Sequence, residues 1–446
     1  MKLQKLTISD ITDQGYGISG FEGKKVFIDG TLPGETVLAE IIEEHPTYFS
    51  ARLKQIVKPS PDRRERICQV TGCGGCQLLH CSYADQLNLK NDRLKQALRH
   101  RSVLQGVSHL AECVGSDLQE HYRNKSIYYV RQVNSRNIIG MFCKNSHRII
   151  PVDRCLMDQT WISDANQIVL EWMNSYGISA FDEVCHKGLI REIIYRTGYL
   201  TDQRMIILVV SDLSIPFQNE LLNMLDKLNI TSLYLNTNHS GGNGIYGEEF
   251  LLISGKETIE THLGKLKFQI GPRAFWQINS RQCEKLYTAI SKFAALTGKE
   301  TVFDLYCGAG SISLWLATEA KKVYGVEIVD EAVQNARRNA EFNQIVNVEF
   351  TSGSSETIYS DLVKCRGIPD VVVVDPPRKG CDISLLRSLI SQRPEKVIYV
   401  SCLPASLARD LQIMMHNGYA VENIITVDMF PQTMHVETVV LLSREK

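Results

Sequence analysis

No apolar run in this 446-residue chain approaches the ~20 residues that a membrane-crossing helix requires, so no membrane partner is expected. Met1–Asp10 lacks the long apolar centre of a secretory signal, and a cytoplasmic location is the expectation. An excess of one charge is missing too: the net charge of −1 neither selects nor excludes a nucleic-acid partner. Residues 111–270 contain no repeat and no low-complexity tract. Cysteine, in contrast, is plentiful. There are thirteen, an odd number in clustered spacing, which argues against a secreted disulfide framework and for metal binding or catalysis by some of them. Cys113, Cys143, Cys185, Cys283, Cys365 and Cys381 stand alone and read as ordinary core or surface residues. Hydrophobic content of 44% with 22% charge is that of a soluble globular protein, and the length calls for about two to four domains.

Residues 1–58 alternate short β-rich runs with glycine turns. Leu3–Ile8, Lys25–Ile28, Glu35–Ile42 and Ser50–Val57 are the predicted strands, with turns at Gly15–Gly17, Gly20–Gly23 and Leu32–Gly34. The spacing suits a small Greek-key barrel of the oligonucleotide-binding kind, and periodicity alone also permits another small β domain. Lys58-Pro59-Ser60-Pro61 reads as a linker. Between Ser50 and Arg66 six basic residues (Arg52, Lys54, Lys58, Arg63, Arg64, Arg66) face two acidic ones, which by itself describes a solvated stretch. Residues 59–270 form a mixed α+β region that opens with the cysteine cluster and a predicted helix, Tyr83–Arg101. From residue 271 to 446 strands and helices alternate, which predicts a mostly parallel, doubly wound sheet. Its last two strands, Ala420–Asp428 and Glu437–Leu442, are joined without a helix, so the final strand should run antiparallel.

Three turns of that sheet carry chemistry. Asp304-Leu305-Tyr306-Cys307-Gly308-Ala309-Gly310-Ser311 joins a strand to a helix, and its glycines allow a ligand to approach the backbone. Seventeen residues past Gly310, Glu327 ends the next strand, where a carboxylate can accept hydrogen bonds from both hydroxyls of a ribose. The turn lacks the full Gly-x-Gly-x-x-Gly fingerprint and a phosphate-loop Lys-Ser/Thr, so a nucleoside without pyrophosphate fits, and S-adenosylmethionine is the candidate. Asp375-Pro376-Pro377-Arg378-Lys379-Gly380 ends another strand at the same edge, its prolines holding Asp375 in place. A related Asp-Pro-Pro-aromatic loop binds exocyclic amines in some N-methyltransferases, but here Arg378 stands at the aromatic position. Ser401-Cys402-Leu403-Pro404 follows a buried strand, with Pro404 opening a helix. Cys402 thus sits beside the positive end of a helix dipole, which is expected to favour thiolate. Glu437 follows in Asp428–Glu437, with His435 as a competing base. A thiolate and a base together solve one problem. Carbon 5 of a pyrimidine is a poor nucleophile until sulfur adds at carbon 6, and the adduct then needs a base to remove the carbon-5 proton. A stacked base must also be turned outward to reach the sulfur.

The cysteine cluster reads Cys68-x4-Cys73-Gly74-Gly75-Cys76, with Cys81 nearby and Cys155 about eighty residues on, a pattern for a [4Fe–4S] cluster or zinc. Over almost its whole length the chain resembles the bacterial RNA uracil-5-methyltransferases, in particular the branch with an N-terminal TRAM domain that modifies 23S ribosomal RNA. The resemblance rests on Cys73-Gly-Gly-Cys76-Gln77, His121-Tyr122-Arg123-Asn124-Lys125, Phe275-Trp276-Gln277-Ile278-Asn279, the Asp304–Ser311 turn, Asp375–Gly380, Ser401-Cys402 and the Phe430–Glu437 loop. It implies a Rossmann-like S-adenosylmethionine-dependent methyltransferase domain (271–446), a TRAM barrel of the oligonucleotide-binding fold (1–58) and a mixed α+β central domain (59–270). It implies that Gln277, Tyr306, Ser311, Glu327 and Asp375 line the S-adenosylmethionine pocket, that Cys402 is the nucleophile and that Glu437 is the proton acceptor. It implies that Cys68, Cys73, Cys76 and Cys155 hold a [4Fe–4S] cluster. This chain has one residue fewer than the family pattern between the first two of these, which leaves Cys81 as the alternative to Cys68. The resemblance turns the basic stretch after Ser50 into an expected RNA contact surface, adds Tyr122, Arg123 and Lys125 as expected RNA contacts, and implies a monomer acting on 23S ribosomal RNA. A transfer-RNA uracil, a cytosine or exocyclic amine, and a non-catalytic RNA-binding role are the alternatives.

Overall fold

Leu6, Val26, Ile28, Val37, Ala39 and Phe49 alternate with less buried neighbours along their strands and close one small core. The computed structural model, which describes residues 3–239 and 244–445, arranges these strands in a six-stranded sheet in the order Leu3–Thr7, Thr36–Glu44, Tyr48–Lys58, Lys24–Asp29, Tyr16–Phe21, Asp10–Ile11. The glycines at 17 and 20 were expected in turns but lie within the Tyr16–Phe21 strand. A Cβ at Gly17 would stand 2.0 Å from Thr31 Oγ1, so close packing, not a turn, calls for glycine there.

The central sheet has seven strands, in the order Ile149–Pro151, Arg136–Phe142, Lys125–Val133, Ile190–Thr197, Arg204–Val210, Ser232–Thr237, Phe250–Gly255. Trp161–Ser175 and Gln218–Leu225 bury one of its faces. Just ahead of the Trp161 helix start, the buried Asp158 carboxylate accepts hydrogen bonds from Ser126 Oγ (2.6 Å) and Tyr128 Oη (2.8 Å) and ties the segment to the sheet. The hairpin Ile259–Leu263/Leu266–Ile270 then packs Leu263, Leu266 and Phe268 into the next core, so residues on both sides of position 270 share it.

The third sheet has eight strands in the order Val348–Ser352, Lys322–Glu327, Thr301–Leu305, Val371–Val374, Lys396–Ser401, Glu437–Arg444, Tyr419–Val427, Val107–Leu110. The first five pair in parallel, and Glu437–Arg444 runs antiparallel to both neighbours, as the short connection requires. Two pieces come from far upstream. Val107–Leu110 adds the last edge, and helix Tyr83–His100 packs Leu94 and Leu98 against the core that holds Leu407 and Leu411. Strand order reverses between Thr301–Leu305 and Val371–Val374, and such a switch point opens a crevice at the carboxyl ends of the strands. Among the described residues no helix is long and apolar enough to cross a membrane.

Candidate active site

The crevice is a cavity lined by Phe275, Trp276, Gln277, Tyr306, Gly308, Ser311 and Asp375, so four of the five expected cofactor residues meet there. Its floor is the turn after Thr301–Leu305. Tyr306 is left-handed (φ 69°) and donates its hydroxyl to Glu356 Oε1 at 2.9 Å. Gly310 (φ 80°) lets the helix Ser311–Ala317 start against its neighbours, since a Cβ there would meet Phe350 Cζ at 2.7 Å and Ala336 Cβ at 2.9 Å. Asp304 is buried beneath and accepts from Ser313 Oγ at 2.5 Å. The fifth residue, Glu327, lies behind the turn: its carboxylate accepts from the Gly308 amide (3.1 Å) and the Val329 amide (2.9 Å). Ser311 Oγ shares a hydrogen bond of 2.6 Å with Tyr287 Oη. Gln277 is presented by a loop that Asn124 anchors, donating to Gln277 O (2.7 Å) and Ser280 Oγ (2.9 Å).

Asp375 connects this cavity to Cys402 and Glu437. Its carboxyl, pushed up to about 6 by burial, accepts no hydrogen bond among the described residues. The loop behind it is fixed by helix Pro404–Met415: Ser406 Oγ donates to Arg378 O (3.0 Å), Arg409 to Lys379 O (2.9 Å), and the buried Asp410 carboxylate accepts from the Cys381 amide (2.9 Å) and Tyr399 Oη (2.7 Å). Cys402 is half-buried at the turn into that helix, where Ser401 Oγ accepts from the Leu403 amide at 3.2 Å. Glu437 opens the neighbouring strand, opposite Val427, and is 6% exposed. Burial and the charge of Asp375 hold its carboxyl well above the usual range, while Arg378 opposes them. The expectation of a resting thiolate at Cys402 is not met. Burial, then the carboxylates of Glu437 and Asp375, push the thiol up to about 11 against the helix dipole and Arg378. The same interactions place Cys402, Glu437 and Asp375 within electrostatic reach of one another. His435 is exposed and lines a different cavity, facing Lys125 and Gln77.

Residues 82–445 match the family described as tRNA (Uracil-5-)-methyltransferase. The chain belongs to that family. Residues 2–54 match the TRAM domain. The chain is 42% identical over 440 residues to an RNA methyltransferase of Listeria monocytogenes (98% of this chain, 97% of the relative). It is 40% identical over 447 residues to another of Clostridium acetobutylicum (99% and 96%). Among solved structures, the Pyrococcus abyssi tRNA (uracil-54, C5)-methyltransferase in complex with S-adenosyl-L-homocysteine matches with a TM-score of 0.80 at 26% identity, covering 98% of this chain and 100% of that one.

The uracil-5-methyltransferase fold also carries residues that local spacing does not reveal. Lys90, fully buried, pairs with the equally buried Asp428 and donates to Phe430 O at 3.1 Å, and Tyr83 Oη donates to the other Asp428 oxygen at 2.8 Å. Asn279 and Gln282 donate to Met429 O (3.2 Å) and Asp428 O (3.0 Å). Tyr122, expected at the RNA surface, is instead 6% exposed and donates to Pro431 O at 3.1 Å, so it braces the same loop. Elsewhere, Cys68, Cys73, Cys76 and Cys155 line one mostly apolar cavity with Arg123, whose Nε is buried without a hydrogen-bond partner. Burial pushes the Cys76 thiol up to about 11 and the Cys155 thiol up to about 12. Cys81 lies outside that cavity, its thiol 3.4 Å from Asp85 Oδ2, which removes it as the alternative to Cys68. Among the described residues no three His, Cys, Asp or Glu side chains are arranged to hold a metal ion, so the geometry does not bear out the iron–sulfur assignment.

Proposed function

We propose that this chain transfers a methyl group from S-adenosylmethionine to carbon 5 of a uridine in 23S ribosomal RNA. The observation that carries the reading is the placement of Asp375, Cys402 and Glu437 at the same end of three neighbouring strands, with Asp375 also lining the cavity at the strand-order reversal. The lining suits the donor: Trp276 and Tyr306 contribute aromatic side chains, Glu327 holds the Gly308 turn, and Asp375 brings a carboxylate with no hydrogen bond among the described residues to meet a cation. When bound, the donor supplies a methyl on a sulfonium. Cys402 loses its proton and its sulfur bonds to carbon 6, moving the C5=C6 pair into an enolate with charge on carbon 5. After carbon 5 has taken the methyl, Glu437 accepts the carbon-5 proton, the double bond reforms, and the sulfur–carbon bond breaks. Burial holds both Cys402 and Glu437 toward their protonated forms in the resting site, so substrate entry has to draw a proton from the thiol.

RNA containing 5-fluorouracil tests the roles. Fluorine leaves no carbon-5 proton to remove, so the parent protein should form a covalent RNA adduct stable to denaturation, and Cys402→Ala should form none. An adduct in that variant ends the nucleophile assignment; absence in the parent points to an exocyclic-amine substrate or to a binding module. The match to a tRNA (uracil-54, C5)-methyltransferase favours transfer RNA as the second reading. Labelled methyl transfer to 23S RNA and to transfer RNA, both from a deletion strain, separates the two. For the cysteine cavity, the finer reading is a [4Fe–4S] cluster held by Cys68, Cys73, Cys76 and Cys155. The four cysteines share one cavity with Arg123, and a cluster there would require their thiols to converge from the arrangement described above, tying residues 68–76 to 155 as a structural staple. Visible absorbance with stoichiometric iron supports it, and colourless zinc-containing protein overturns it.

A further inference from the structure

Gln432 lies in the loop that delivers the chain to Glu437, and its backbone is left-handed (φ 70°) although it carries a Cβ. Such a conformation persists only where the surroundings over-determine it, and these positions cluster at functional sites. The hydrogen bonds that fix Gln432 come from one segment. The Leu78 amide donates to Gln432 O at 2.9 Å, the Gln432 amide donates to Gln86 Oε1 at 3.0 Å, and Gln86 Nε2 donates to Gln432 Oε1 at 2.9 Å. Gln86 is 1% exposed, and its amide is itself oriented by Leu78 O (3.2 Å) and Cys81 O (3.1 Å). Two residues past Gln432, Met434 is buried against Leu78 and Cys81 from the same segment. Glu437, by contrast, has no hydrogen bond to its carboxylate among the described residues, so its aim depends on where the backbone places it: Val427 across the ladder and the loop behind.

We propose that Gln86 is a positioning residue for Glu437, acting through Gln432 to aim the carboxylate at the carbon-5 proton of the covalent intermediate. The inference rests on the uracil-C5 reading above. It predicts a split between two steps, because methyl transfer needs Cys402 and the donor whereas release needs Glu437 as well. Rapid-quench reactions with isotopically labelled S-adenosylmethionine and RNA from a deletion strain resolve labelled covalent complex from labelled free RNA. In Gln86→Leu, methyl incorporation stays within about threefold of the parent while resolution of the adduct slows about tenfold or more, so labelled complex accumulates. Gln86→Glu keeps the acceptor for the Gln432 amide and loses the donors. It shows the same split to a smaller degree and decides the matter should Gln86→Leu not fold. Slowing of both steps in parallel, or of neither, overturns the positioning role. A parent enzyme that forms no adduct with 5-fluorouracil RNA overturns the uracil reading itself, a distinct result.

Discussion

Cys402, the proposed nucleophile, shows why reactivity cannot be graded from a turn alone. A helix start favours negative charge, but two neighbouring carboxylates and burial outweigh it and leave the thiol near 11. Alkylation of Cys402 by iodoacetamide in the free protein should therefore rise about tenfold per pH unit from pH 7 to 10 without levelling off. Arg378→Gln removes the charge that opposes this shift, so alkylation at pH 8 should slow further; peptide mass spectrometry reads both, and a plateau near pH 7 would contradict the account. Glu437 carries the reverse lesson. Its folded pKa lies above its unfolded value, so the folded state holds an extra proton once pH exceeds the ordinary carboxylate range, and stability falls as pH rises through that window. Glu437→Gln should cut turnover by about 10²–10⁴-fold and yet raise Tm, by more at pH 8 than at pH 5. Equal Tm gains at both pH values would show that the carboxyl is not buried protonated.

At the scale of elements, helix Tyr83–His100 stands outside the alternating pattern in the chain and yet braces the loop that leads to Glu437. Its Lys90 is fully buried with Asp428, and breaking one side of a buried pair leaves an uncompensated charge. Lys90→Met should cost about 3–5 kcal/mol in urea unfolding, and Lys90→Met with Asp428→Leu should recover most of it; additive losses would mean the two do not act as a pair. The turn after Thr301–Leu305 is equally constrained. Gly310→Ala should cost about 1–3 kcal/mol and weaken S-adenosylhomocysteine binding, read by titration calorimetry, because its Cβ must displace Phe350 or Ala336. The parallel strands, the glycine turn and the Cys402 turn were legible because each is a local strand–turn–helix pattern. The helix Ser280–Ala294 buries Cys283, Leu286, Tyr287, Ile290 and Ala294 at helical spacing, so its inward face is written in the sequence as well. Val107–Leu110, a four-residue edge with its two central residues exposed, carries no alternation to read. Nothing local marks Gln86 or Lys90, because their partners lie more than 300 residues away.

Across the whole molecule, one basic stretch is expected to face RNA, and the structure divides its residues between two jobs. Arg63 donates to both oxygens of the fully buried Glu35, at 2.5 and 2.8 Å, and to Gly30 O at 2.8 Å, so it closes the N-terminal barrel. Arg52, Lys58 and Arg64 are exposed. Phosphate contacts release counterions, and each contact to a single strand steepens the fall of log K with log salt by about 0.7. Replacing Arg52, Lys58 and Arg64 with glutamine should therefore flatten that slope by about 2 if all three touch phosphate, with little change in Tm. Arg63→Met should do the opposite: it leaves Glu35 buried and unpaired, lowering stability by about 3–5 kcal/mol while the slope for the folded fraction holds. Filter binding of RNA between 50 and 200 mM salt, beside thermal melts, reads both quantities. An unchanged slope in the triple variant would remove this stretch from the RNA surface and shift the expected contact to the groove where Gln14 of the barrel, Gln77 of the cysteine segment and Lys125 of the central sheet converge on His435.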